Sequence, residues 1–202
     1  VLSRATIMTC GGNAALHQPH IVDEGLTGDG YRMLQEIGVP LKNMDYRQLV
    51  WEDVRIGAPR FPFDRLNDRR LRFVDYTGRQ IMIHDLPEEI RLARQSHVPI
   101  ANLQRDRVFD ELLMSAIPAV EEQYAIRVLD PEGQCLYQIL PHTQASNGGV
   151  EIGINGETGV RNLYAAGEIA TGMHGGDRVG GMMITAAIVF GRRAGLAAAS
   201  NL

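Results

Sequence analysis

Short apolar runs closed by glycine mark both ends of this chain. Residues 5–9 (Ala-Thr-Ile-Met-Thr) read as a short buried strand that Cys10-Gly11-Gly12 terminates. Thr27-Gly28-Asp29-Gly30 then opens a helix over residues 30–37, Gly38 ends it, and residues 39–49 read as extended. Through the middle, Pro59 and Pro62 interrupt the pattern and a basic patch follows, Arg65-Leu66-Asn67-Asp68-Arg69-Arg70. Residues 73–79 carry a hairpin signal. Residues 86–95 and 107–124 have helical periodicity. A second hairpin is predicted where residues 125–129 and 136–140 flank Asp130-Pro131-Glu132-Gly133. Near the end, a strand over residues 163–166 runs into Gly167-Glu168 and a glycine-dense loop. The apolar run after Gly181 has the length and composition of a buried helix, and Arg192-Arg193 cut it short of a membrane span.

Most of the candidate chemistry sits in and around that last loop. A helix starting after Gly180-Gly181 presents unpaired N–H groups and the positive end of its dipole, where an anion or electron-rich group would be stabilised. Glu168 is either a carboxylate that accepts hydrogen bonds from ligand hydroxyls or a capping or surface residue. Asp29 is either a helix cap or a ligand acceptor. Arg178 can grip a carboxylate with two parallel bonds, or it pairs with Asp177 or a backbone carbonyl. His174 precedes this loop, and the histidines show no metal-ligand spacing.

Composition narrows the class without naming a function. The 202 residues suffice for one domain or two parts sharing a core, and 45% apolar content with a net charge of −4 fits a globular protein without a nucleic-acid footprint. Two cysteines, Cys10 and Cys135, form no disulfide framework, and a reduced cytoplasmic location is the simplest expectation. The chain starts at Val1, which fits a fragment, a processed chain or a trimmed product.

Three linked blocks, 163–168, 174–181 and 189–195, resemble the C-terminal flavin-binding segment of the fumarate reductase / succinate dehydrogenase / L-aspartate oxidase flavoprotein family. Gly11, Gly12, Gly28, Asp29, Gly30, Met33, Gly38, Met44 and Gln48 resemble its opening block. The resemblance implies an α/β (α+β) fold, part of a Rossmann-like FAD-binding domain interrupted by an α+β capping domain. On that basis residues 1–49 and 143–202 belong to the FAD-binding domain and 50–142 to the capping domain.

The same resemblance implies FAD as cofactor, held by Gly11, Gly12, Asp29, Glu168, Gly180, Gly181, Met183 and Ile184. It implies hydride transfer between flavin and a small carboxylate substrate, with Arg178 binding the carboxylate, Arg94 as candidate proton donor and His174 near the flavin. Several family positions are altered. Val50-Trp51 stand for a His-Pro pair and are expected to make the pocket more apolar. Gln144 stands for a second histidine, with His142 two residues earlier, and Met182-Met183-Ile184 replace Asn-Ser-Leu. Succinate and fumarate are therefore expected to be poor substrates. No Gly-x-Gly-x-x-Gly fingerprint occurs in the sequence, so the ADP half of FAD is expected to need an N-terminal FAD-binding segment or partner subunit. Self-association into an oligomer is left open. A non-catalytic module serving assembly or regulation is the competing expectation.

Overall fold

A computed structural model describes residues 2–55, 61–62, 65, 68–96, 105–176 and 178–201. The expectations attached to Pro59, to Leu66 and Asn67 of the basic patch, and to Asp177 lie outside these residues. In chain order the elements are β1 (Thr6–Met8), α1 (Asp29–Glu36), β2 (Leu41–Lys42), β3 (Arg47–Asp53), β4 (Arg72–Val74), β5 (Gln80–Ile81), α2 (Glu88–Gln95), α3 (Arg107–Ser115), β6 (Ile126–Leu129), β7 (Cys135–Ser146), β8 (Gly149–Glu151), β9 (Leu163–Ala165), β10 (Ala170–Thr171) and α4 (Met182–Ser200). The fold is α+β and divides into two compact units, residues 1–48 with 143–202, and residues 49–142. β3 and β7 run through the boundaries.

In the first unit β1 and β9 pair in parallel, with Thr6 opposite Leu163 and Met8 opposite Ala165. A second sheet has the order β10-β8-β2, parallel between β10 and β8 and antiparallel between β8 and β2. Tyr31 and Leu34 of α1 pack with Val39, Val150, Leu163, Ala165, Ile169 and Ala170 to form the core. α4 lies along β9 and β1, and Ala194 and Ala198 pack on Tyr164. Small side chains there let the helix approach the sheet closely.

Three expectations for this unit need correction. β1 is largely exposed: Thr6 and Ile7 are exposed although β9 pairs with the strand and α4 packs beside it, and only Met8 reaches the core. Asn43, in the left-handed region at φ 57°, breaks the extended run between β2 and β3. α4 is not buried: only Ala186, Ala194 and Ala198 are, while Ile184 and Ile188 are 69% and 66% exposed. The helix also runs on past Arg192-Arg193 through Leu196 and a string of alanines. By length and composition alone it is long and apolar enough to cross a membrane, with a mean hydropathy of 1.3.

The second unit is a five-stranded sheet of order β3-β7-β6-β4-β5. Both expected hairpins are present, β4–β5 and β6–β7, and both pairs are antiparallel. Asp75 shapes the first turn, its Oδ1 accepting from the backbone N of Thr77 and of Arg79 at 2.9 Å each. Asp130 does the same in the second, accepting from Gln134 N at 2.7 Å. The core joins Trp51, Phe73, Ile81, Ile126, Val128 and Ile139 of the sheet to Phe109 and Leu113 of α3. α3 stops at Ser115, short of the expected residue 124, and a 3-10 turn follows at Glu122–Tyr124. Pro118 explains the stop: it has no N–H to donate and disfavours helix in the residue before it.

Candidate functional site

A polar cluster forms in the first unit where the turn after β9, the end of β7 and the loop before α4 meet. Gly167, at φ 82°, turns the chain sharply after β9 and delivers Glu168. Glu168 Oε1 accepts from the backbone N of Ser146 at 2.9 Å. Gly12 lies against the same carboxylate, and a Cβ there would come within 2.7 Å of Glu168 Cδ. Burial raises the Glu168 carboxyl above its ordinary pKa, opposed by the Ser146 N–H and by the charge of Arg178.

Arg178 is the buried cation of the cluster, 7% exposed. Its Nε donates to Asn147 Oδ1 at 3.2 Å, and its Nη2 donates to Gln48 Oε1. Gln48 Nε2 donates back to the Arg178 carbonyl at 2.9 Å. Both side-chain partners are neutral amides. Among the described residues no carboxylate reaches ion-pair distance of Arg178. Burial lowers its pKa and nearby Glu168 opposes the shift, yet a guanidinium stays charged. His174 is half-buried and its Nε2 has no partner among the described residues. Burial first, and then Arg178, hold the ring below its ordinary pKa and so neutral at pH 7.

At the start of α4, Gly181 takes φ 81°, Met182 N bonds the Val179 carbonyl at 3.1 Å and Ile184 N bonds the Gly181 carbonyl at 3.2 Å. The amides of Gly180, Gly181 and Met183 have no backbone partner among the described residues. The Ile184 amide is therefore used locally, and its side chain points to solvent. Asp29 is the first residue of α1 and not its cap, because the capping position is Gly28 at φ 76°. Among the described residues its exposed carboxylate accepts from Thr27 Oγ1, at 3.0 Å. Gly11 is held at φ 76° beside Leu26.

The sequence reading missed three residues of the cluster. Tyr31 sends its hydroxyl toward the carbonyls of Gly148 and Glu168, 3.1 Å from each. Ser146 supplies the amide to Glu168. Asn147 holds Arg178 and is itself pinned, its N bonding the Tyr46 carbonyl at 2.7 Å and its carbonyl accepting from Thr171 Oγ1 at 2.6 Å. The available signal was their place beside Gly148-Gly149. A Cβ at Gly148 would lie 2.7 Å from Met44 Cα, and one at Gly149 2.8 Å from the Ile169 carbonyl carbon.

Other expected residues fall elsewhere. Arg94 is 0% exposed in the core of the second unit, its Nε bonding both carboxylate oxygens of Asp110 at 3.1 and 3.2 Å. A proton-donor role would require it to leave that pair. Trp51 Nε1 donates to the same Asp110 at 2.9 Å, and Trp51 and Val50 are both buried, so Trp51 is core and not pocket lining. His142 Nδ1 meets the Leu140 carbonyl at 3.1 Å, which occupies it locally. Gln144 Oε1 is buried without a partner among the described residues.

The glycine turns, the buried carboxylate and the helix start of the first unit fit the flavin end of a dinucleotide. The model of the FAD binding domain family matches residues 1–184, and the chain belongs to that family. It is 26% identical over 215 residues to one subunit of the fumarate reductase (CoM/CoB) of Methanothermobacter marburgensis, covering 98% of this chain and 39% of that protein. It is 28% identical over 205 residues to L-aspartate oxidase of Bacillus subtilis, covering 93% of this chain and 37% of that protein. Among solved structures it is similar to a mutant E. coli quinol fumarate reductase FrdA, at a TM-score of 0.65 and 21% identity, covering 98% of this chain and 39% of the other. It is also similar to Mycobacterium smegmatis Sdh1, at a TM-score of 0.63 and 22% identity, covering 98% of this chain and 36% of the other. The chain spans between 33% and 47% of the length of the curated relatives it matches.

Proposed function

We propose that this chain is the flavin-proximal and capping portion of an FAD-dependent oxidoreductase that moves a hydride between flavin and a carboxylate-bearing substrate. The observation that carries the reading is Arg178. A buried guanidinium whose side-chain partners among the described residues are neutral amides is costly to maintain, and an incoming carboxylate would supply the missing charge with two parallel hydrogen bonds. When bound, the flavin supplies the redox chemistry. Glu168 and Asp29 would accept hydrogen bonds from its hydroxyls. Gly11 and Gly12 would admit close approach, and the amides of Gly180, Gly181 and Met183, which have no backbone partner among the described residues, would favour negative charge on the reduced ring. Ile184 contributes through its place in the first turn of α4. His174, neutral beside Arg178, would offer a hydrogen bond without adding charge. The ADP half of the cofactor would be held by a dinucleotide-binding segment outside these 202 residues, on the same chain or on a partner subunit.

Residues 49–142 would serve as the capping domain. A dicarboxylate specificity is disfavoured, because Gln144 and Val50 stand where the resemblance expects histidines. The competing reading, a flavoprotein-like module without catalysis, draws on Arg94, which is locked to Asp110. The test is Arg178→Lys in the flavin-loaded protein. We expect flavin content to hold and the carboxylate response of the flavin spectrum to fall. An unchanged carboxylate affinity refutes the assignment, and succinate or fumarate turnover on the order of 10 per second refutes the disfavoured specificity.

A further inference from the structure

Asn147 carries a hydrogen-bond donor that has no partner among the described residues. Its backbone N–H is used by Tyr46, its carbonyl by Thr171, and its Oδ1 by Arg178 Nε. These bonds also fix which end of the side-chain amide is which. Turned over, the amide would set NH2 against the guanidinium, donor against donor. Nδ2 therefore points away from Arg178 Nε. It is buried without a partner among the described residues, on a residue 2% exposed. A buried donor left unpaired loses free energy that a native fold ordinarily recovers, and a bound acceptor would recover it here. Gln48 differs, because both ends of its amide are used on Arg178. Gln48 only holds the arginine, whereas Asn147 holds it and has a donor to spare.

We propose that Asn147 Nδ2 is the second donor to the substrate carboxylate that Arg178 binds, so that one carboxylate is held by one guanidinium and one neutral amide. This rests on the reading of Arg178 given above. A carboxylate has two oxygens and about four lone-pair sites, so the two parallel bonds from a guanidinium leave lone pairs open to the neighbouring amide. The acceptor has to be anionic, since the buried charge of Arg178 lacks a carboxylate partner among the described residues. The arrangement also favours a substrate end that carries a single carboxylate, because this second donor brings no charge.

The experiment uses the full-length, flavin-loaded protein with crotonate and fumarate as probes, each titrated through the flavin absorbance. Flavin content is measured separately after heat release. Asn147→Ala should weaken crotonate binding on the order of tenfold or more and leave flavin content unchanged. Asn147→Asp should weaken it further, because an internal ion pair with Arg178 would displace the ligand. In 15N-labelled protein, the side-chain amide signal missing from Asn147→Ala should shift when crotonate binds. A signal that stays in place while crotonate binds overturns the proposal, whatever the affinities. Loss of affinity in Arg178→Lys with none in Asn147→Ala overturns the role of Asn147 and leaves that of Arg178. Wild-type affinity in both variants, or no response to either probe in the wild-type protein, overturns both.

Discussion

The hydroxyl of Tyr31 lies 3.1 Å from the carbonyl oxygen of Glu168, and equally 3.1 Å from that of Gly148. One side chain of α1 thus ties together the turn that delivers Glu168 and the glycine pair that follows Asn147. Burial pushes the phenol up to about 12, so it stays a neutral donor throughout the physiological range. Tyr31→Phe should cost about 1 kcal/mol of stability from the lost hydrogen bond, and more if both carbonyls stay dry. Denaturant midpoints at unchanged slope would measure it. A midpoint equal to wild type would show that the tie contributes nothing.

Glu168 should leave a pH dependence on stability in the flavin-free protein. Burial raises its folded pKa above the unfolded value. For an acid shifted upward, the protonated form is favoured by folding. Its contribution is therefore fully present below the ordinary glutamate pKa and is lost as pH rises through the raised value. Glu168→Gln removes that loss, so the variant should gain on wild type as pH rises across this window. Melting curves of both proteins from pH 4 to 7 would show it on the order of the shift itself. Parallel curves would mean that Glu168 is not desolvated.

Much of this was legible in the sequence, and the rest was hidden for identifiable reasons. The hairpin turns were read correctly because Asp75 and Asp130 close them through local hydrogen bonds, which is chemistry within a few residues. The positions of Glu168, Arg178 and the glycine turns were legible because a tight turn restricts residue type. The length of α3 was misjudged because the apolar pattern continues past Ser115, while Pro118 ends the helix. Trp51 and Arg94 were misplaced because their meeting at Asp110 joins residues far apart in the chain, which periodicity does not record. Tyr31 and Asn147 escaped for the same reason: their partners are set by the fold, and neither belongs to a motif.

Gly12 is expected to resist substitution for a reason unrelated to backbone freedom. A methyl group there would press on the Glu168 carboxylate, with Cδ at 2.7 Å. Gly12→Ala should shift that carboxylate, lengthen its bond to Ser146 N and weaken flavin retention, while the fold tolerates the change better than it would at Gly149. There the obstacle is the Ile169 backbone, which moves less readily than a side chain. Flavin content per chain, with circular dichroism as a check on folding, would separate the two variants. Equal flavin content in Gly12→Ala and wild type would show that the carboxylate can move aside without consequence.

The outer face of α4 gives the last prediction. Ile184, Ile188, Val189 and Leu196 are exposed on a helix whose inner alanines already pack on the sheet. β1 beside it is exposed as well, although parallel strands are ordinarily covered on both faces. An exposed apolar helix face of this kind marks a contact. The dinucleotide-binding segment invoked above is the occupant that this reading requires. In the 202-residue chain alone, Ile184→Lys with Ile188→Lys should reduce self-association and leave helix content unchanged. With the dinucleotide-binding segment present, the same pair should instead destabilise the protein, since each buried isoleucine contributes about 1.5–3 kcal/mol. Sedimentation of the short chain and melting of the longer protein measure the two effects. A pair of substitutions that is harmless in both settings would show that nothing covers this face.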